Sequence, residues 1–270
     1  MKAFRAGDDT MYRTRTWLSS FATLGCLALL PLMLWTSQAA ASTSMTLEYG
    51  PAGQTRSVWS DQDMVGTQLT NNTWEFIGSR SFAMDGGEEI DMTWNFTTNA
   101  DPFVDGVYSF TNNTGSVQEL VLTYSVSVVP SLPVATGGAT VIGVVTTGSA
   151  GGTLGHITPA SGTPPSMYSA LVDGSVFETL LDFDSSVSLA SFGSDTTGAQ
   201  SFGLPGLTKP VPGGVSTSIG SRLSFSVTPG ASVAFTSRFE VVPEPSTALL
   251  LGVGLMVLRA GRRRSTSRVH

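Results

Sequence analysis

Large apolar side chains alternate with polar ones in several stretches in the middle of the chain. In residues 90–97 every second residue is Ile, Met, Trp or Phe. Residues 120–128, 223–227 and 233–241 repeat the pattern, with Ser237 as the one break in the last of them. A period of two places alternate side chains on the same face of a strand, so each stretch predicts a strand with one buried face.

Residues that favour turns lie between or beside these stretches. They are Asn112-Asn113-Thr114-Gly115, Asp105-Gly106, Asp173-Gly174 and Pro229-Gly230, and each supplies the Gly or Asn that tight turns need. No stretch of residues 42–242 has an apolar stripe with helical spacing and caps. Many short strands joined by such turns predict an all-β fold: an antiparallel β-sandwich, jelly-roll-like, rather than a barrel or an α/β fold.

The stretch from Pro130 to Pro165 is rich in glycine and proline. Gly137-Gly138 and Gly151-Gly152 interrupt it, whereas residues 141–145 have the apolar composition of a buried strand. We predict a strand flanked by long loops within the same domain.

The amino-terminal segment has the pattern of a secretory signal. Arg13 and Arg15 precede an apolar run over residues 17–35, and Ala39-Ala40-Ala41 supplies the small residues of a signal-peptidase site. We expect residues 1–41 to be a signal peptide that engages the general secretion pathway and signal peptidase. Translation starts at Met1 or Met11, and an uncleaved anchor is the alternative.

The carboxyl-terminal segment has three parts in a fixed order. Pro243-Glu244-Pro245 precedes an apolar run over residues 248–258, which a basic cluster closes, formed by Arg259, Arg262, Arg263 and Arg264. A helix over residues 246–260 would rise about 22 Å, which is short against a hydrocarbon layer of roughly 30 Å. The basic cluster would stay on the cytoplasmic side, so the domain would face away from the cytoplasm. A plain single-pass tail anchor is the alternative.

This order of Pro-Glu-Pro, short apolar helix and arginine cluster resembles the PEP-CTERM sorting signal of Gram-negative bacteria that secrete exopolysaccharide. The resemblance implies that exosortase, a membrane-embedded protease, recognises Pro243, Glu244 and Pro245. It also implies passage through the inner membrane to the cell surface or the extracellular matrix. It covers residues 243–270 and implies sorting rather than an activity. The expected organisation is signal peptide 1–41, β-sandwich 42–242 and sorting signal 243–270.

The charge of the middle domain restricts its partners. Seventeen of the 20 acidic residues but five of the 14 basic ones lie in residues 42–242, so the net charge of this domain is about −12. Such a domain does not favour nucleic acid or anionic lipid surfaces. Cys26, the single cysteine, lies in the signal segment, so the domain has no disulfide and no catalytic or metal-binding thiolate.

Catalytic and metal-binding patterns are sparse. His156 is the one histidine before His270, and no Gly-x-Ser-x-Gly elbow accompanies it. We therefore expect no enzymatic activity, no catalytic residue and no cofactor, with a site built on His156 as the minor alternative. Calcium is a further alternative, because carboxylates in loops can supply its oxygen ligands. The candidate ligands are Asp182 and Asp184, followed by Asp61 with Asp63 and by Asp85 with Glu88 and Glu89.

Alternation on a strand would place Asp182 and Asp184 on one face. The same carboxylates admit a glycosidase pair as a more remote alternative. Among the aromatic residues, Trp59 stands between serine and aspartate residues and is the candidate for an exposed contact with a sugar ring. The sequence thus predicts an exported structural or adhesive protein of an exopolysaccharide or biofilm matrix. The alternative is a carbohydrate-binding module that binds its sugar with or without calcium.

Overall fold

The computed structural model describes residues 42–62, 64–70, 72–84, 87–99, 102–157 and 165–244. All of these residues lie in one unit, Ala40–His270. They form two antiparallel sheets, which confirms the prediction of an all-β sandwich. The predicted signal helix and carboxyl-terminal transmembrane helix lie outside the described residues.

The strands are numbered in chain order. They are β1 (Thr43–Pro51), β2 (Ser57–Asp61), β3 (Thr67–Gln68), β4 (Thr73–Ala83), β5 (Glu89–Asn99), β6 (Phe103–Asn112), β7 (Gln118–Ser127), β8 (Ala135–Thr147), β9 (Gly152–Gly155), β10 (Tyr168–Val172), β11 (Ser175–Leu180), β12 (Val187–Leu189), β13 (Ser194–Thr196), β14 (Gln200–Phe202), β15 (Lys209–Val211), β16 (Ser218–Val227) and β17 (Ala231–Pro243). A 3-10 helix, Phe183–Ser185, precedes β12.

The first sheet has the order β11-β10-β16-β7-β1-β2, with β9 beside β16 and β12 beside β9. The second has the order β13-β8-β17-β6-β5-β4-β3, and β14 and β15 also pair with β8. The short strands β13, β14 and β15 therefore cover successive parts of the outer edge of β8, which protects it from pairing with another chain.

The last two long strands lie inside the sheets rather than at their edges. β16 pairs with β7 and β10, while β17 pairs with β6 and β8. A turn at residues 228–230 joins them, and Gly230 adopts the positive φ that the turn requires. Both sheets thus depend on residues 218–243 for an interior strand.

The core lies between the inner faces of the sheets, where the alternating apolar residues meet. Phe225 of the first sheet lies 5.0 Å from Phe110 and 4.9 Å from Phe235 of the second, measured between ring centroids. All three side chains are fully buried. Burial of a side chain of this size contributes roughly 1.5–3 kcal/mol, so these contacts hold the sheets together.

Hydroxyl groups form a buried polar seam within this core. The Tyr124 hydroxyl lies 2.8 Å from Ser237 Oγ, and the Tyr168 hydroxyl lies 2.9 Å from Ser221 Oγ. Tyr108 stacks on Tyr124 with ring centroids 4.6 Å apart. Burial raises the pKa of all three tyrosines, so the seam is uncharged at ordinary pH. The seam also explains the break in the alternation at Ser237, which is buried and hydrogen-bonded.

Three of the four predicted turns are confirmed. Asp173-Gly174 joins β10 to β11, with positive φ at both residues. Pro229-Gly230 joins β16 to β17. Asn112 ends β6, and its side chain accepts hydrogen bonds from the backbone and hydroxyl of Thr114 at 2.9 and 2.7 Å. Its amide also donates to the carbonyl of Val227, so it links the two turns that cross between the sheets.

The prediction of a turn at Asp105-Gly106 is wrong, because both residues lie inside β6. Gly106 is paired with Phe96 of β5, and a Cβ atom at Gly106 would lie 2.3 Å from the Cβ atom of Phe96. The glycine therefore allows β6 to lie close to β5, and it does not change the direction of the chain.

The stretch around Gly137-Gly138 also differs from the prediction. Residues 141–145 do form a buried strand, but β8 extends back through both glycines to Ala135. At Gly138 a Cβ atom would lie 3.0 Å from Leu204 Cδ2 and 3.1 Å from the carbonyl oxygen of Gly203. Gly138 therefore lets the loop at Gly203 and Leu204 approach the strand, and neither glycine interrupts it.

Candidate functional site

The carboxyl end of β17 is paired with the beginning of β8. Val241, Val242 and Pro243 oppose Gly137, Thr136 and Ala135. The pairing continues one residue further, because the backbone N–H of Glu244 donates to the carbonyl of Val134 over 3.2 Å. The first two residues of the Pro-Glu-Pro sequence are thus attached to the sandwich.

On the other side of β17, pairing with β6 ends earlier. Glu240 opposes Phe103, the first residue of β6, and the N–H of Val241 donates to the carbonyl of Pro102 over 2.9 Å. Among the described residues, β8 is the strand that pairs with β17 beyond this point. Pro243 lacks an N–H group and is exposed, as suits a proline at the end of a strand.

The outer face of β17 carries an exposed ionic group near the same end. The Arg238 guanidinium pairs with Glu240 and lies 3.9 Å from a carboxylate oxygen of Asp105. It also lies over the ring of Phe103, 5.6 Å from its centroid. Exposed pairs of this kind contribute about 0–1 kcal/mol each, so they add little to the attachment of the strand end.

Pro245 and the basic cluster of Arg259, Arg262, Arg263 and Arg264 lie outside the described residues. Within the described part of the chain, no helix has both the length and the apolar character needed to cross a membrane. The transmembrane helix predicted from the sequence therefore remains a prediction.

Trp59 is half-buried and packs between the two sheets. Its ring centroid lies 5.7 Å from that of Phe82 and 6.0 Å from that of Trp94. The Arg80 guanidinium lies over its ring, 5.3 Å from the centroid, in a cation–π arrangement. Trp59 therefore belongs to a packed cluster and is not the exposed aromatic platform expected from the sequence. A sugar contact at Trp59 remains a prediction.

Asp182 and Asp184 lie at a 3-10 helix rather than on a strand. Asp182 immediately precedes the helix and accepts a hydrogen bond from the hydroxyl of Ser166. Asp184 is an exposed residue of the helix itself. The expectation that alternation on a strand gives them a common face was wrong, because the backbone turns here.

Three of the other predicted carboxylates, Asp61, Glu88 and Glu89, lie in the described part of the chain. Asp61 ends β2 and Glu89 begins β5. Glu88 accepts a hydrogen bond from the backbone N–H of Gly115 over 2.7 Å. Asp63 and Asp85 lie outside the described residues. In the described part of the chain, no three histidine, cysteine, aspartate or glutamate side chains form a group suited to a metal ion.

His156 is half-buried near the end of β9. Its Nδ1 atom lies 2.9 Å from the carbonyl oxygen of Pro165, and its own carbonyl accepts a hydrogen bond from the hydroxyl of Ser226. These contacts join the loop after β9 to β16.

The pKa of the Asp173 carboxyl lies clearly below its ordinary value. Its slight burial acts to raise the pKa above the ordinary 3.8. Hydrogen bonds from the backbone of Ser218, Thr217 and Ser216 and from the Thr217 hydroxyl outweigh this effect and lower the pKa to about 2. These bonds are 2.7–3.2 Å long. The side chain of Asp173 thus links the β10–β11 turn to the start of β16 by hydrogen bonds.

The outer face of the second sheet has a shallow depression that the sequence did not indicate. Its volume is about 450 Å³. Two cross-strand rows on β4, β5 and β6 line it: the hydroxyl row is Ser79, Thr93 and Ser109, and the mixed row is Ile77, Asn95 and Val107. Alternation along each strand identifies these residues as outward-facing, but the concavity depends on how three strands curve together.

Residues 241–264 match the family described as the PEP-CTERM protein-sorting motif, which confirms the resemblance drawn from the sequence. Neither a curated protein nor a solved structure matches the chain. The motif implies export to the cell envelope or surface, with exosortase as the processing partner. Its first residues, Val241–Pro243, are also the last residues of β17. The chain therefore carries the PEP-CTERM sorting motif, joined without a linker to an interior strand of a β-sandwich.

Proposed function

We propose that this sandwich is a non-enzymatic structural or adhesive component of an exopolysaccharide or biofilm matrix in a Gram-negative bacterium. Exosortase processing of the motif delivers it there. The observation that carries the proposal is the direct continuation of β17 into the motif. Because β17 is an interior strand, the sorted unit is the whole sandwich rather than a flexible appendage.

The arrangement of the carboxylates supports a structural role. Glu119 is 2% exposed and pairs with Arg56, whose guanidinium nitrogen lies 2.7 Å from its carboxylate. Asp173 holds the start of β16, and Glu88 holds the turn at Gly115. These acidic groups stabilise strands and turns, whereas a glycosidase needs two that converge on one bond.

The test uses the full chain in an exopolysaccharide-producing Gram-negative host that contains exosortase. A strain that lacks the protein is complemented with the wild-type chain or with a variant in which Pro243, Glu244 and Pro245 are all replaced by alanine. We expect the wild-type domain in the surface and matrix fractions and a cohesive matrix. The variant should remain unprocessed and leave the matrix as weak as in the deletion strain.

Protease resistance of the exported domain serves as the control for folding. A matrix of unchanged cohesion in the deletion strain would contradict the structural role. Wild-type localisation of the triple variant would contradict sorting through the motif.

A second candidate function is the binding of a neutral glycan in the depression on β4, β5 and β6. Its hydroxyl row and the Asn95 amide offer hydrogen-bonding groups, and Ile77 and Val107 are 68% and 41% exposed. None of the eight residues that line the depression carries a charge, although the domain is strongly acidic. Polar groups beside exposed apolar ones suit a sugar, which presents both hydroxyl groups and apolar ring faces.

Co-sedimentation of residues 42–244 with the host's exopolysaccharide tests this second function. We expect saturable binding that Thr93→Ala with Asn95→Ala weakens roughly thirtyfold, which corresponds to two hydrogen bonds of about 1 kcal/mol each. Trp59→Ala is the comparison, since Trp59 does not itself line the depression. Loss of binding with Trp59→Ala alone would place the sugar contact at Trp59. Loss of binding with a chelator would indicate that binding requires calcium.

A further inference from the structure

We infer that the sandwich must release the end of β17 before exosortase can process the sorting motif, so that local opening of this strand sets the rate of processing. The inference rests on processing by exosortase and adds a conformational step to it. The step concerns Val242, Pro243 and Glu244, which belong both to the motif and to the sheet or its extension.

The pairing of the strand end with β8 is the obstacle. A protease binds its substrate in an extended conformation and uses the backbone groups of that segment for recognition. The backbone groups of Val242 and Glu244 that face β8 are already engaged, since Val242 opposes Thr136 and the Glu244 N–H donates to Val134. One edge of the segment is therefore blocked until β17 separates from β8.

The structure also limits how far the strand can open. Val241 and Phe239 are fully buried, and Val241 is held by Pro102 as well as by β8. Val242 is half-buried, while Pro243 and Glu244 are exposed. Opening that stops at Val241 separates three residues of the motif from β8 and leaves the core intact. Such fraying costs far less free energy than unfolding of the domain.

A reversible disulfide tests the opening step directly. Thr136→Cys with Val242→Cys would link an opposed pair on the outer face of β8 and β17. Opposed residues of antiparallel strands have Cα atoms about 4.5–5.5 Å apart, which is within the range that a disulfide spans. Since Cys26 is the single native cysteine and lies in the predicted signal segment, the domain offers no competing thiol.

The matched control is a second disulfide on the same pair of strands. Thr146→Cys with Ser232→Cys lies ten residues away along β8 and β17 and on the same face. It adds a similar cross-link at the end of β17 that is remote from the motif. Both variants are made in the full chain with a tag after His270, and formation of each disulfide is verified by thiol labelling.

Processing is followed as loss of the tag from the domain over time in a host with exosortase. We expect the disulfide near the motif to slow processing at least about tenfold, and a reductant to restore the wild-type rate. The remote disulfide should leave the rate within about twofold of wild type. Wild-type processing with the near disulfide formed would overturn the inference, because the protease would then read the paired strand from its free edge. Equal slowing by both disulfides would also overturn it, since global stability would then be limiting.

A flexible insertion gives the opposite perturbation and serves if a disulfide fails to form. Gly-Ser-Gly-Ser inserted between Val242 and Pro243 frees the Pro-Glu-Pro sequence from β8, and processing should accelerate at least about tenfold. The same insertion after Gly53, in the exposed β1–β2 turn, is the control and should not change the rate. An unchanged rate with the first insertion would overturn the inference. Matrix retention is scored separately, so the structural role can fail while the opening step stands.

Discussion

Replacement of Gly106 by alanine tests how closely β5 and β6 pack. The new Cβ atom would lie 2.3 Å from the Cβ and 2.9 Å from the Cα of Phe96, and 3.0 Å from the carbonyl oxygen of Asn95. Two of these atoms belong to the backbone and the third is fixed to it, so no side-chain rotation relieves the contact. The strands must separate locally, and overpacking of this kind costs about 1–3 kcal/mol. We expect the upper end of that range, because the pair lies in the interior of a sheet.

Urea unfolding of residues 42–244, followed by tryptophan fluorescence, measures this cost. Gly137→Ala is the matched control, because Gly137 is also a buried glycine of the same sheet, but its nearest neighbours would lie at 3.4–3.5 Å, an ordinary contact distance. We expect its free energy of unfolding to stay within about 1 kcal/mol of wild type, since the added methyl group gains apolar burial. Gly106→Ala with an unchanged urea midpoint and slope would refute the close packing against Phe96.

Three further substitutions test other parts of the sandwich. The lowered pKa of Asp173 stabilises the folded state above its ordinary value of 3.8, and this contribution is lost as the pH falls toward 2. Asp173→Asn should thus lower the free energy of unfolding by about 1 kcal/mol at pH 7, after allowance for solvent screening. The difference from wild type should shrink near pH 2. Equal losses at both pH values in urea unfolding would contradict this explanation. Ser237→Ala should cost about 1–2 kcal/mol by removing the partner of the buried Tyr124 hydroxyl, and a double-mutant cycle with Tyr124→Phe should show a combined cost below the sum. Arg56→Met should cost about 3 kcal/mol, because it removes the guanidinium beside the buried Glu119 carboxylate, and thermal melting should show partial recovery when Glu119→Gln is added.

The strands and their buried faces were predictable because alternation is a local property of the sequence. Residues 90–97 and 233–241 form the strands that their pattern indicates, with the large apolar groups turned inward. The error at Asp105-Gly106 shows the limit of local patterns, since the same dipeptide type forms a turn at Asp173-Gly174. The difference between the two depends on Phe96, which lies in the neighbouring strand.

The candidate sites were less predictable for the same reason. Serine and aspartate flank Trp59, which indicated exposure, but Phe82 on the other sheet and Arg80 cover its ring. The order of the tail identified the sorting motif correctly. The backbone hydrogen bond from Glu244 to Val134 could not be predicted from the sequence, because it joins positions more than a hundred residues apart at the ends of two neighbouring strands.

The overlap of the motif with β17 means that substitutions at the start of the motif act on two properties at once. Val241 is fully buried and paired with β8, so its replacement weakens the sandwich whether or not a protease contacts it. Pro243 is exposed and has no N–H to lose, so its replacement tests recognition with little effect on the fold. Glu244 lies between these cases, since its side chain is exposed while its backbone is bonded to Val134. Processing defects at Val241 therefore report on folding, whereas those at Pro243 report on the motif itself.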